Sequence, residues 1–177
     1  AGGFSYGDYL RSGAIARFSP VMKALSKYAN NGGKVLGICN GFQVLTEARL
    51  LPGALKRNES LHFLSKYHHL KVQNNSNDFL KELNNGDVVN IPIAHHDGNY
   101  YIDNDGLEEL KKNKQILLTY CDENGSTLNP NGSVESIAGV CNKEKNIFGL
   151  MPHPERAMES ILGSEDGIKM LEGFLKA

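Results

Sequence analysis

The chain has 177 residues and a mass of 19.4 kDa, which is the size of one compact domain. Apolar residues make up 40% and charged residues 22%, a globular composition that excludes a largely disordered chain. Because 19 Lys and Arg stand against 20 Asp and Glu, the net charge is −1, and neither nucleic acid nor a membrane is expected as a partner. No apolar run approaches the roughly 18 residues that a membrane span needs.

The three cysteines, Cys39, Cys121 and Cys141, are odd in number and irregularly spaced. Such a set argues against a disulfide framework and indicates a reducing environment, so we expect a cytoplasmic protein. Cys121 and Cys141 lie in apolar strand patterns, where a cysteine usually acts as a small buried hydrophobic residue. Cys39 has different surroundings, because it lies between two glycines at a predicted turn.

The predicted elements follow one another as in an α/β protein. A helix begins at Ser19 and Pro20, an N-cap followed by proline at the first helical position, and ends at the glycine pair 32–33. Its apolar residues recur at helical spacing and predict a buried stripe of Val21, Ala24, Leu25 and Tyr28. The next segments are a strand at 34–38, a helix at 40–48, one long or two paired strands within 61–72, and a strand at 88–94.

The second half continues this alternation. It contains a helix at 106–113, a strand at 115–121, a turn-rich loop at 122–134 and a hairpin of 137–142 with 147–151. Ser164 caps a last helix, whose predicted inner stripe is Ile168, Leu171 and Leu175. Pro92 demotes the strand at 88–94 to an edge or a bulge. The continuous apolar run at 34–38 fits a strand buried on both faces, as parallel sheets require.

Cys39 lies between Gly37 and Gly41, where a predicted strand turns directly into the helix 40–48. This is the cysteine counterpart of the G-x-S-x-G nucleophile elbow, a sharp and strained turn. Side chains at the flanking glycines are expected to clash, and the thiol is expected in open space above the sheet edge. The positive end of the helix favours the thiolate, and the backbone N–H of Asn40 faces the place where an oxyanion would form.

A thiol nucleophile needs a base, and His153 is the best candidate. It follows the strand 147–151 between two prolines, and Glu155 can orient its imidazole and stabilise the charged form. The pairs His68-His69 and His95-His96 lie on predicted strands, where neighbouring side chains point to opposite faces and cannot share a metal ion. Because the chain also lacks Cys-x-x-Cys and His-x-x-x-His spacings, no metal site is predicted.

Two segments resemble class I glutamine amidotransferases of the triad type. The segment 37–43, Gly-Ile-Cys-Asn-Gly-Phe-Gln, resembles their nucleophile segment, and 151–155, Met-Pro-His-Pro-Glu, resembles their His/Glu segment. Three further stretches, at 2–10, 57–60 and 91–95, resemble the glutaminase components of phosphoribosylformylglycinamidine synthases, enzymes of purine biosynthesis. The resemblance implies a three-layer α/β sandwich with a mostly parallel central sheet and flavodoxin-like topology.

By this resemblance residues 1–177 form a single glutaminase domain. The family has roughly two further βα elements before the glycine turn at 2–3, so we expect that the N-terminal strands are missing. The family also has His-Gly-Glu-Gly where this chain has His-His-Asp-Gly at 95–98.

The same resemblance implies a role for each residue of the site. Cys39 attacks the side-chain amide of glutamine and forms a γ-glutamyl thioester, with His153 as acid and base and Glu155 as its partner. The backbone N–H groups of Gly3 and Asn40 form the oxyanion hole. Contacts with bound glutamine are expected from Gly41, Gln43, Asn58 and His95.

The resemblance further implies that ammonia passes to a separate, larger synthetase subunit, which a third small subunit can join. ATP and Mg²⁺ are expected on the synthetase, and no cofactor is expected in this chain, because nothing in it resembles a Walker A loop or a metal–carboxylate cluster. We expect low glutaminase activity of the isolated chain and stimulation on assembly. Two alternatives stay open: a free-standing cysteine hydrolase of γ-glutamyl compounds, and an inactive interaction module.

Overall fold

The computed structural model describes residues 7, 11 and 13–176, which contain four α-helices and eight strands. The helices are α1 Pro20–Asn30, α2 Asn40–Glu47, α3 Asn104–Lys112 and α4 Asp166–Leu175. The strands are β1 Val35–Ile38, β2 Ala54–Lys56, β3 Leu64–Val72, β4 Val88–His95, β5 Asn99–Tyr101, β6 Ile116–Cys121, β7 Ile137–Cys141 and β8 Ile147–Leu150. The predicted alternation of helices and strands is confirmed over these residues.

The larger of two sheets has six strands in the order β1-β8-β7-β6-β3-β4, and the smaller one pairs β2 with β5. Within the described residues β1 and β8 are the one parallel pair of the large sheet, and its other four pairings are antiparallel. The fold is thus α/β with a mixed sheet, and the prediction of a mostly parallel, flavodoxin-like sheet is wrong here. A parallel neighbour needs a crossover of about a dozen residues or more, whereas β7 returns into β8 through a short turn at 142–146.

Helices cover both faces of the large sheet. Phe148 and Gly149 are neighbours on β8 and therefore face opposite sides. The Phe148 ring lies 6.2 Å from that of Phe174 in α4. A side chain at Gly149 would instead collide with the ring of Phe42 in α2. The sheet is therefore the middle layer between α2 and α4.

Helix α1 begins as predicted, since the Ser19 hydroxyl accepts a hydrogen bond from the backbone N–H of Met22 at 3.3 Å. Of its predicted buried stripe, Leu25 is half-buried and packs against the core, and the other three residues are exposed. Val21 and Tyr28 are 73% and 55% exposed, whereas Met22 and Ala29 are buried. The apolar spacing predicted the helix correctly, but the face that packs is set by tertiary contacts with the rest of the chain.

Helix α4 also packs through a different face from the predicted one. Its buried residues are Gly167, Met170 and Gly173. A side chain at Gly167 would collide with the carbonyl oxygen of Pro154, and one at Gly173 would come within 2.7 Å of the carbonyl oxygen of Phe79. These glycines let the helix approach neighbouring backbone, whereas of the predicted stripe Ile168 and Leu171 are half-buried and Leu175 is exposed.

The segment predicted as one or two strands within 61–72 is the single strand β3, which pairs with the edge strand β4. Pro92 lies opposite Tyr67 in this pair, and its carbonyl accepts a hydrogen bond at 2.8 Å from the N–H of His153. That carbonyl therefore faces the outer edge, where a missing N–H breaks no ladder bond. The predicted edge position is confirmed. Among the described residues, no helix is long and apolar enough to cross a membrane.

Candidate active site

Cys39 is the single residue between β1 and α2. Its backbone has φ 52° and ψ −107°, a left-handed conformation that costs a non-glycine residue about 1–3 kcal/mol. A side chain at Gly37 would come within 2.8 Å of the backbone carbon of Gly41, so the predicted clash is confirmed there. At Gly41 no clash is found among the described residues, since none of their non-neighbouring atoms lies within 4 Å of an added methyl group.

The thiol lies where the two edges of the large sheet meet. The N–H of Cys39 donates to Leu150 O on β8 at 2.8 Å, and its sulfur lies 3.7 Å from the carbonyl oxygen of Ala94. Ala94 belongs to β4, which lies at the opposite end from β1 in the order of the described strands, so the sheet curls until these two ends come together. Cys39 is only 2% exposed in this arrangement, and the expectation of a thiol in open space is wrong.

His153 follows β8 and is held on the same edge strand as the thiol. Its N–H binds Pro92 O, two residues before Ala94, and its side chain is fully buried. The ring Nδ1 lies 2.6 Å from Glu155 Oε1, so Nδ1 carries the proton and donates to the carboxylate. The other nitrogen, Nε2, has no hydrogen-bond partner in the described part of the chain and is left as a bare acceptor.

The Glu155 carboxylate is kept ionised by its neighbours. Burial alone would raise its pKa, but the hydrogen bond and the charge of His153 outweigh burial, and the pKa of Glu155 lies below its ordinary value. Arg156 adds to this effect with Nε 3.7 Å from Glu155 Oε1. An ionised carboxylate at this position stabilises the charged form of the imidazole.

Asn58 and His95 form a buried unit next to His153. The Asn58 amide nitrogen donates to the carbonyl oxygens of His62 and His95, both at 2.9 Å. Its Oδ1 accepts from the N–H of Gly98 and faces His95 Nδ1, each at 3.1 Å, so that Nδ1 carries the proton. With its amide filled by protein partners, Asn58 has no free group for a direct contact with substrate in this structure.

His95 presents its second ring nitrogen without a partner. It is fully buried, and its Nε2 has no hydrogen-bond partner among the described residues. Burial, together with the charge of the nearby His153, lowers the pKa of His95 to about 3. The ring is therefore neutral at physiological pH, with Nε2 available to accept a hydrogen bond.

The remaining predicted residues surround the start of α2. Asn40 Nδ2 donates to Gln43 Oε1 at 2.6 Å, and Gln43 Nε2 donates to the carbonyl oxygen of Asp97 at 2.9 Å. Both residues are buried, and these two hydrogen bonds already engage the Gln43 amide. Gly3, predicted for the oxyanion hole, lies outside the described residues. No cluster of His, Cys, Asp and Glu that could hold a metal is found among the residues the structure describes.

Sequence reasoning missed two features of the site. It gave no role to Asp97, which is buried beside Gln43, or to Arg57, whose Nε lies 3.4 Å from Asp97 Oδ1. It also missed the carbonyl groups of β4 that hold Cys39 and His153. No spacing rule points to these groups, because the contact between Cys39 and Ala94 joins residues 55 positions apart.

Comparison with known families identifies the class of this protein. A profile of the CobB/CobQ-like glutamine amidotransferase domain matches residues 1–167. The chain belongs to this family, and the nucleophile and His/Glu segments that resemble glutamine amidotransferases lie within the matched range.

Individual relatives narrow the comparison. The chain is 80% identical over 177 residues to phosphoribosylformylglycinamidine synthase subunit PurQ of Sulfurimonas denitrificans, covering all of this chain and 79% of the relative. The PurQ subunit of Wolinella succinogenes is 70% identical over 98% of this chain and 77% of its own. A solved structure of PurLQS from Thermotoga maritima superposes with a TM-score of 0.86 at 44% identity, covering 99% of this chain and 76% of that one.

Proposed function

We propose that this chain is the glutaminase subunit of a phosphoribosylformylglycinamidine synthase, which serves purine biosynthesis. The high identity to PurQ subunits and the similarity to PurLQS support this assignment. The observation that carries the chemistry is the 2.6 Å contact between His153 and Glu155, on the same edge strand that holds the Cys39 thiol. Residues 1–177 are taken as one glutaminase domain.

Cys39 is the proposed nucleophile, set at a nucleophile elbow. Because Nδ1 of His153 donates to Glu155, the lone pair on Nε2 is the group that can take the thiol proton. The sulfur then attacks the δ-carbon of glutamine, and the carbonyl oxygen gains the negative charge. The N–H groups of Asn40 and Gly3 are proposed to stabilise this oxyanion.

The tetrahedral intermediate collapses by breaking its C–N bond. His153 returns the proton to the leaving nitrogen, ammonia departs and a γ-glutamyl thioester remains on Cys39. A water molecule then attacks the thioester while His153 takes its proton, the C–S bond breaks, His153 returns the proton to the Cys39 sulfur, and glutamate is released. The residues proposed to surround bound glutamine are Gly41, Gln43, Asn58 and His95. Asn58 acts by fixing the His95 ring, since its own amide is filled.

The released ammonia is proposed to pass to a larger synthetase subunit, with a third small subunit in the complex. Similarity to the Thermotoga maritima structure, which is named PurLQS, supports such an assembly. ATP and Mg²⁺ are assigned to the synthetase and the location to the cytoplasm. Glutaminase activity of the isolated chain is expected to be low, because the thiol is buried, and to rise on assembly.

The test is a substitution of the nucleophile within the assembled synthase. For Cys39→Ala, glutamine-dependent amidine formation should fall at least about 10³-fold, while formation from added ammonium chloride should be unchanged. Cys121→Ala is the matched control, because this thiol lies buried in β6, and it should change neither reaction.

Three other outcomes would contradict the proposal. Retention of glutamine-dependent activity by Cys39→Ala would remove the nucleophile assignment. Hydrolysis of γ-glutamyl peptides by the unmodified chain alone, with no ammonia transfer to a synthetase, would identify a free-standing hydrolase. Absence of any turnover by the unmodified chain, with or without the synthetase, would identify an interaction module.

A further inference from the structure

Asp97 holds a buried carboxylate oxygen without a hydrogen-bond partner. Its side chain is 2% exposed, and Oδ1 faces the Arg57 Nε at 3.4 Å. The second oxygen, Oδ2, is buried and has no hydrogen-bond partner in the part of the chain that the structure describes. Because an unsatisfied buried carboxylate oxygen is costly, a binding partner that supplies N–H donors is the simplest explanation.

Chain length places Asp97 within reach of a glutamine molecule held at the thiol. Ala94 O lies 3.7 Å from the sulfur, and Asp97 follows three residues later, at most about 10 Å along the chain. Gln43, one helical turn after Cys39, binds Asp97 O and keeps this segment against α2. Glutamine spans roughly 5 Å from its δ-carbon to its α-nitrogen, and an ion pair adds up to about 4 Å.

The space beside Asp97 matches an ammonium group in size. Asp97, Gln43 and Glu47 line a pocket of about 10 Å³, which is room for one water molecule. Glu47 is already paired, with Oε1 2.9 Å from the Arg11 Nε. Of the two carboxylates that line this pocket, Asp97 is therefore the one with an unpaired oxygen among the described residues. A small group with N–H donors fits the space beside it.

Arg57 supplies the opposite charge next to Asp97. Its guanidinium touches Asp97 through Nε, its side chain is 44% exposed, and no described residue accepts a hydrogen bond from its terminal nitrogens. A guanidinium fork binds carboxylates through two parallel hydrogen bonds. An acid with an unpaired oxygen and a cation with unpaired donors, side by side, complement the ammonium and carboxylate of a free α-amino acid.

We propose that Asp97 and Arg57 bind the amino acid head group of glutamine, with Asp97 Oδ2 accepting from the α-ammonium and Arg57 donating to the α-carboxylate. This inference rests on the proposed glutaminase function and adds specificity to it. The pair selects free glutamine over glutamine whose α-amino group is absent or acylated. Both residues position the substrate, while the bond changes occur at Cys39.

The first test removes the same interaction from the protein and from the substrate. For the synthase assembled with the unmodified chain, kcat/KM for 4-carbamoylbutanoate, which lacks the α-ammonium, should be about 10²-fold below that for glutamine. Asp97→Asn should lower kcat/KM for glutamine by a similar factor, mainly through KM, and change that for 4-carbamoylbutanoate by no more than about threefold. Asp105→Asn, an exposed acid in the first turn of α3, is the matched control and should change neither. Equal losses for both substrates in Asp97→Asn would overturn the proposal.

The second test reads the same contact at the thiol without turnover. A diazo-ketone analogue of glutamine carries the head group, whereas iodoacetamide does not. In the assembled synthase, Asp97→Asn should slow labelling of Cys39 by the diazo-ketone at least about tenfold and leave labelling by iodoacetamide unchanged. Equal labelling of both proteins by the diazo-ketone would overturn the head-group site, and slower labelling by both reagents would show a general distortion and overturn it as well.

Two further results separate this proposal from the function on which it rests. Failure of the unmodified chain, assembled with the synthetase, to be labelled at Cys39 by the diazo-ketone would reject the glutaminase assignment itself, and the head-group site with it. Arg57→Lys, which keeps the charge but not the fork, should raise KM for glutamine less than Arg57→Met. Equal KM values for these two variants and the unmodified chain would reject the role of Arg57.

Discussion

The turn that presents Cys39 makes a sharp prediction about two glycines. In Gly37→Ala, the new methyl group would lie 2.5 Å from Leu45 Cδ1 and 2.8 and 2.9 Å from the backbone carbon and oxygen of Gly41. Leu45 can rotate, but the backbone of α2 cannot withdraw without moving the thiol. Overpacking of this kind costs about 1–3 kcal/mol, so the free energy of unfolding should fall by that amount. The melting temperature should drop by roughly 2–12 °C, and glutamine-dependent activity should fall with it.

Gly41→Ala is the matched control, because it makes the same chemical change four residues later. No described atom lies within 4 Å of its new methyl group, and alanine favours a helix over glycine by about 0.5–1 kcal/mol. Urea unfolding should therefore give a higher midpoint for Gly41→Ala and a lower one for Gly37→Ala. Equal midpoints, or a stabilised Gly37→Ala, would refute the close approach of strand and helix at this turn.

Three further outcomes are expected. Glu155→Gln removes the charge 2.6 Å from His153 Nδ1 and should lower kcat for glutamine by about 10²–10⁴-fold in steady-state assays, with ammonia-dependent synthesis unchanged. Ser19→Ala deletes the cap on Met22 N and should lower the free energy of unfolding by about 1 kcal/mol in urea titrations. Burial lowers the pKa of His95 to about 3, so the unfolded chain binds more protons between about pH 6.5 and 3, and stability is lost as pH falls through that range. This contribution of His95 should lower the free energy of unfolding by about 2 kcal/mol at pH 5 relative to pH 8. In His95→Gln, urea titrations at the two pH values should differ by about 2 kcal/mol less than they do for the unmodified chain.

Local signals in the sequence predicted the elements and the turn because the physics of both is local. Ser19 followed by proline begins a helix wherever the chain leads next, and the cap is present. Gly37 is required because strand and helix approach each other within a few residues. The position of His153 after the last strand and its bond to Glu155 also follow from a short stretch of chain.

The direction of the strands is predictable only where a short turn joins them. The predicted hairpin of 137–142 with 147–151 is confirmed by the antiparallel pair β7 and β8, although every residue of both strands is buried, a pattern typical of parallel strands. A continuous apolar run reports burial on both faces and carries no information on direction. Direction follows from the connections, and the short turn at 142–146 leaves room only for a hairpin.

The predictions of which helix faces pack against the core were wrong for a related reason. The predicted contact face of α4 was Ile168, Leu171 and Leu175, but the helix packs through Gly167, Met170 and Gly173, because neighbouring carbonyl groups come too close for a side chain at either glycine. The role of the buried acid Asp97 could not be predicted from local sequence either. Its role depends on Gln43 and Arg57, which are 54 and 40 positions away and meet it only in the folded chain.

The burial of Cys39 also depends on contacts between residues distant in sequence, and it bears directly on function. A local turn determines the backbone of the thiol, but its cover comes from β4, the far edge of the curled sheet, through Ala94. His95 and His153 also each keep a buried Nε2 without a hydrogen-bond partner among the described residues. These acceptors and the 2% exposure of Cys39 describe a closed site, which glutamine enters only if the two edges of the sheet or the chain around them move apart. A glutaminase that is closed when alone would be opened by whatever binds more tightly to the open form, and a synthetase that consumes the ammonia is the partner for which such coupling prevents waste.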